Sequence, residues 1–168
     1  MWFQIVSPIV AIASFALSLF AISFSYKNGL KIKKQDILME LMNQYNKQEM
    51  GNAIRKLREF KDNCKNKSSD IETEFGNIWQ ENNYELDNMR RVVSRYFLEV
   101  TILWENNFVD MNSLKKLWSK DDLSIISSII IPLDNKKYKM NYKDDTIDDR
   151  LVLMGKFYEE ITGNKLIE

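Results

Sequence analysis

From Trp2 to Tyr26 the chain carries no charged side chain, and this run constrains its fold more than any other feature. A helix rises about 1.5 Å per residue, so roughly 20 apolar residues cover the hydrocarbon core of a bilayer. Trp2–Tyr26 meets that length. In lipid an isolated segment must pair every backbone N–H and C=O within itself, which only a helix does. Trp2, Phe3 and Tyr26 suit the two interfaces, where amphipathic rings settle. The run therefore predicts a transmembrane anchor over residues 1–26. A cleaved signal peptide is the rival reading; it needs a positive n-region and a shorter apolar core. Here the run starts at residue 2 with no Lys or Arg before it, so retention is expected, although Ala21–Ser23 imitates a cleavage site.

Small residues within the run recur at alternating spacings of four and three: Ser7, Ala11, Ser14, Ser18, Ala21 and Ser25. Small side chains let helix backbones approach in lipid, where hydrophobicity gives no drive. A 3.5-residue period keeps such a stripe facing a partner, so the stripe predicts a helix-association face and a homo-oligomer through the membrane helix. Ala13, Ala16 and Ser23 lie off it. Lys27, Lys31, Lys33 and Lys34 follow the run and no cation precedes it. The positive-inside rule then predicts a single-pass protein of the inner (plasma) membrane, with the N-terminus outside and the remainder in the cytoplasm. A lone cysteine, Cys64, agrees with a reducing compartment.

Residues 27–37 are read as a basic juxtamembrane linker or helix extension, and 38–168 as one helical cytoplasmic domain. Two prolines and five glycines are the only strong breakers, and that scarcity favours helices. Leu38, Leu41, Met42 and Tyr45 share one helical face; Met50, Ile54 and Leu57 continue the pattern, and Phe60 widens it. Ile71, Phe75, Ile78 and Trp79 form another stripe. The longest joins Leu86, Met89, Val93, Tyr96, Val100 and Leu103, the expected centre of the domain. Asn112 and Ser119 are candidate caps, the latter heading a capping box with Asp122. The Ile125–Ile131 run fits a buried strand or a buried helix equally; helix is expected, ending at Pro132. Asp134–Asp144 reads as a charged connector, and a last helix starts near Thr146 and stops at Gly163. The fold class predicted is all-α: one N-terminal transmembrane helix followed by a cytoplasmic multi-helix bundle.

Catalytic chemistry has little to work with. There is no histidine, so the usual general base, the commonest metal ligand and every His-containing triad are missing. One cysteine builds neither a zinc site nor a CxxC pair, and the glycines are too scattered for a phosphate loop. Asp144, Asp145, Asp148 and Asp149 lack the EF-hand pattern and read as an acidic first helical turn. Glu81, Glu85 and Asp87 read as a solvated connector. Basic residues from Lys47 to Lys67 read as a solvated helix face, and a net charge of zero gives no reason to expect nucleic acid. No cofactor or metal is expected. The long helix carries Arg90, Arg91, Arg95 and Glu99. The i, i+4 spacing of Arg91, Arg95 and Glu99 fits an intrahelical salt-bridge row. The sharper reading makes Arg91 and Arg95 the wall of a groove for a phosphate or a partner carboxylate, since Arg suits bidentate recognition.

The segment Met89–Asp110 runs MRRVVSRYFLEVTILWENNFVD, with a "YFLEV" centre, then "NNFVD" and a short "LKKLWS" helix. With the N-terminal run it resembles a family of small bacterial membrane-anchored helical proteins known only as a domain of unknown function. That resemblance implies an anchored helical architecture and no activity. Asn106-Asn107 stand where that family often has a glycine before the Val-Asp turn. The function expected is a membrane-anchored protein-interaction or scaffold protein holding an unidentified protein partner at the bilayer. The alternative is a membrane effector or regulator of phage-exclusion or stress type, acting through oligomeric packing, and a carboxylate-dependent enzyme ranks third.

Overall fold

A computed structural model describes residues 3–81, 84–142 and 148–166, with the side chains of the first helix described from Ser18 onward. Every regular element among the described residues is helical, in keeping with the scarcity of breakers. The chain divides into two compact units, Met1–Ile37 and Leu38–Glu168. Helix α1, Phe3–Tyr45, supplies the first and enters the second.

The expected transmembrane anchor over 1–26 is corrected here. Among the described residues no helix is long and apolar enough to cross a membrane, and the single-pass inner-membrane placement is withdrawn with it. The physical reason within the described side chains is charge: Ser18–Tyr26 are followed at once by Lys27, Lys31, Lys33 and Lys34, so no described stretch of α1 combines spanning length with freedom from charge. The side chains of the earlier part of the run, those of Ser7, Ala11 and Ser14 among them, lie outside the described ones. Ser18, Ala21 and Ser25 are exposed on α1.

In the second unit the end of α1 is followed by α2, Gln48–Asn66, α3, Ile71–Gln80, and α4, Glu85–Glu105. Helix α4 is the centre, as its length and pattern predict: Val93, Phe97 and Val100 are fully buried. Leu41 on α1 and Met50, Ala53 and Leu57 on α2 pack toward the same core, whereas Met42 faces out. Tyr45, Tyr96, Phe97 and Trp118 meet with ring centroids 5.2–6.5 Å apart, the tilted and edge-on arrangement that ring quadrupoles favour. The Tyr96 hydroxyl donates to the Leu41 carbonyl at 3.0 Å, which satisfies its polar end inside the cluster. Burial, helped by Asp122, pushes the Tyr45 phenol up to about 12.

The second half departs from the sequence pattern in instructive places. The short α5, Met111–Leu114, is capped by Asp110 and not by Asn112, because the Asp110 carboxylate accepts from Ser113 N at 3.0 Å and from its hydroxyl. Ser119 and Asp122 do form the reciprocal box that starts α6, Lys120–Ile125. Pro132 ends nothing. A π turn over Ile126–Ile130 widens the helix, with Ile131 N–H reaching back to the Ile126 carbonyl. The register has shifted by the time the chain reaches Pro132, which sits in the first turn of α7, Ile131–Tyr142, where a missing N–H costs little. The supposed connector Asp134–Asp144 is therefore helical up to Tyr142. Helix α8, Asp149–Thr162, is capped by Asp148 and closed by Gly163 at φ 73°, a left-handed conformation that glycine adopts without strain.

Truncating the fully buried Phe97 to alanine is expected to cost about 3–5 kcal/mol in urea unfolding of the full chain. Ile102→Ala, at a side chain 46% exposed, is expected to stay within about 0.5 kcal/mol of the parent.

Candidate anion-binding cleft

Asp87 lies on the buried face of α4, at 2% exposure, beside Arg90 at 8%. This corrects the reading of Asp87 as part of a solvated connector. A carboxylate at that depth is tolerated only with full pairing, and the spacing supplies it. Arg90, three residues on, approaches Asp87 Oδ1 through Nε at 2.9 Å and Nη2 at 2.8 Å. Arg91, four residues on, forms an ion pair with Asp87, its Nε 3.0 Å from Oδ2. The far side of Arg90 meets Asp134 of α7, pairing Nη1 with Oδ1 by charge and not in regular hydrogen-bond geometry. Ser94 donates its hydroxyl to the other Asp134 oxygen. The row Asp87, Arg90, Ser94 thus turns one stripe of α4 into a polar seam against α7. Burial pulls the Arg90 guanidinium below its usual value, opposed by its hydrogen bond to Asp87.

Outside this seam, α4, α7 and the start of α8 enclose a cleft of about 470 Å³, within the range of small-molecule sites. Its α4 wall carries Arg90, Arg91 and Arg95, and its α7 wall carries Asp134, Lys137 and the Tyr138–Tyr142 pair, with ring centroids 4.8 Å apart. Lys137 is buried to 7% exposure, and its ammonium lies 2.7 Å from the centre of the Trp79 ring. That cation–π contact offsets part of its desolvation, and burial lowers its pKa. At the α8 end Arg150 donates from Nε to both oxygens of Asp148, at 3.0 and 2.9 Å. Leu98, Leu151 and Met154 complete an apolar floor.

The structure therefore brings Arg91 and Arg95, one helical turn apart, to one cleft wall. It does not show the salt-bridge row: Arg91 pairs backward with Asp87, and among the described residues no ion pair joins Arg95 to Glu99. Arg90 and Asp87 were within reach of sequence reasoning, since their i, i+3 and i, i+4 spacings are visible. Asp134, Lys137 and Arg150 were not, because they join only through the packing of α7 and α8. Lys27, Lys31, Lys33 and Lys34 lie on α1 in the first unit. Of the acidic cluster, Asp148 serves as the α8 cap and Asp149 begins the helix, while Asp144 and Asp145 lie outside the described residues. Among the described residues no group of three or more carboxylate, Cys or His side chains is placed to hold a metal ion.

No family model matches the chain, and neither a curated protein nor a solved structure matches it.

Replacing Arg90 with methionine leaves Asp134 without its cation and the buried Asp87 with only the exposed Arg91, and about 3–5 kcal/mol of stability is expected to be lost at neutral pH. Arg55→Met, which breaks an exposed pair with Glu59, is expected to cost less than about 1 kcal/mol in the same denaturant titration. Asp148 adds a pH dependence. The Arg150 hydrogen bonds hold its carboxyl below the usual range, against a smaller opposing effect of burial. The stability it contributes is present above the unfolded value of about 3.9 and is lost as pH falls through the lower folded value. Asp148→Asn keeps a capping side chain and is expected to flatten the fall in melting temperature below about pH 4.

Proposed function

We propose that the unit from Leu38 onward is a protein-interaction module that grips an anionic group of its partner in the α4–α7–α8 cleft. The observation that carries this reading is the state of Arg91. A buried carboxylate holds its Nε, so its side chain is oriented before any ligand arrives, with terminal nitrogens still able to donate. Preorganisation of this kind reduces the ordering cost of binding. Arg95 stands one turn away, and among the described residues it has no carboxylate partner. Two guanidinium forks on one wall suit carboxylate or phosphoryl oxygens.

The cleft favours binding over catalysis for a specific reason. Its described carboxylates, Asp134 and Asp148, and Asp87 behind them, are each engaged by an arginine. None is poised to act as a general base.

The test is a titration of the isotopically labelled full chain with acetate, sulfate and phosphate, followed through backbone amide shifts. Saturable shifts at Ser94, Leu98 and Asn141 are expected, weakened about tenfold or more by Arg91→Gln or Arg95→Gln, each of which removes a charge-assisted contact. Absence of saturable shifts with all three anions would overturn the reading.

A further inference from the structure

Resting on that binding reading, we infer that the group the cleft accepts is a phosphomonoester dianion carried on an organic body, and not a single carboxylate. Charge is the first ground. Among the described residues the cleft and its seam hold five cations, Arg90, Arg91, Arg95, Lys137 and Arg150, and three carboxylates, Asp87, Asp134 and Asp148. Among these described groups the cations exceed the carboxylates by two. A phosphomonoester brings a charge of about −1.5 to −2 near pH 7, which matches the surplus, whereas a carboxylate leaves half of it unpaired. Donor geometry is the second. Arg91 has committed its Nε to Asp87, so its remaining donors and the fork of Arg95 converge from one helix face. Three phosphoryl oxygens can accept from both forks, while a carboxylate is filled by one bidentate partner. The third ground is the rest of the wall. At about 470 Å³ the cleft has room beyond a bare anion, and the tilted Tyr138–Tyr142 pair and the apolar floor at Leu98 and Met154 suit the group that carries the phosphate.

Phosphate ionises twice, so pH separates it from other anions. The chain has no histidine. The groups facing the cleft are three arginines from α4; Asp134, Lys137 and two tyrosines from α7; and Asp148 and Arg150 at α8. Of these, Arg90 and Lys137 are lowered by burial, and proton uptake at either would strengthen anion binding as pH falls. Weakening at lower pH therefore belongs to the ligand.

The experiment is calorimetry on the full chain with phenyl phosphate, benzenesulfonate, benzoate and a phosphoserine peptide, at pH 7.5 and 5.5. Phenyl phosphate is expected to bind at least tenfold more tightly than the two monoanions at pH 7.5. It should lose severalfold at pH 5.5, as the proton with a pKa of about 6 returns, while the monoanions do not weaken. Arg95→Lys, which keeps the charge and loses the fork, is expected to reduce phenyl phosphate affinity about tenfold and to leave the fold intact at this exposed position. Tighter binding of the peptide than of phenyl phosphate assigns the phosphate to a modified protein side chain, and the reverse order assigns it to a free small ester. Equal affinity for all the anions, no loss at pH 5.5, or full affinity in Arg95→Lys would overturn the phosphate inference alone. No binding of any probe would remove the binding reading as well.

Discussion

A guanidinium buried between two carboxylates fixes the relation of α4 to α7, and the cleft follows from it. Arg90 can be buried only because Asp87 meets it from its own helix and Asp134 from the next. Desolvating one charge without the others would cost several kcal/mol, so these three side chains enter the structure together. Asp87 uses its second oxygen on Arg91, which carries the order of the buried seam out to an exposed side chain. Stability and recognition therefore share one carboxylate. Such a seam is not the most stable filling of that space, since a well-packed apolar layer often matches or exceeds a buried ion network. What it adds is orientation at the cleft wall.

The aromatic cluster does the complementary work on the other side of α4. Tyr45, Tyr96, Phe97 and Trp118 join the end of α1, the central helix and the segment before α6, with the Tyr96 hydroxyl satisfied by a carbonyl of α1. Helix α4 is thus apolar where it meets α1 and α2 and polar where it meets α7. The π turn at Ile126–Ile130 re-registers the chain so that α7 continues past Pro132 and carries Asp134 and Lys137 on to the cleft.

Much of this was legible in the residues. Periodicity picked out Val93, Tyr96 and Val100 as core, the Ser119–Asp122 spacing announced a capping box, and Gly163 marked a helix end. All are local signals, set by residues within a turn or two. The readings that failed depended on distant or compensating structure. Hydropathy ranked Leu86 and Met89 above Asp87 and Arg90, yet the charged pair is buried because a carboxylate from a helix some forty residues on completes it. Pro132 reads as a stop unless a wide turn precedes it, and nothing local in five aliphatic and hydroxyl residues announces that turn. Arg91 and Arg95 were visible as candidates, whereas the wall opposite them was not. The long uncharged N-terminal run carried a membrane placement that the described helices do not bear out.

Arginine side-chain NMR tests the central claim most directly, because it observes the guanidinium groups themselves. In the full chain the Nε–H signals of Arg90 and Arg91 should exchange slowly with solvent compared with the exposed Arg55, reflecting their hold by Asp87. Added phosphate should then shift Arg91 and Arg95 while Arg55 stays in place. An Arg91 signal that exchanges as fast as Arg55, or a phosphate response spread evenly over the exposed arginines, would contradict an anion site organised by the buried seam.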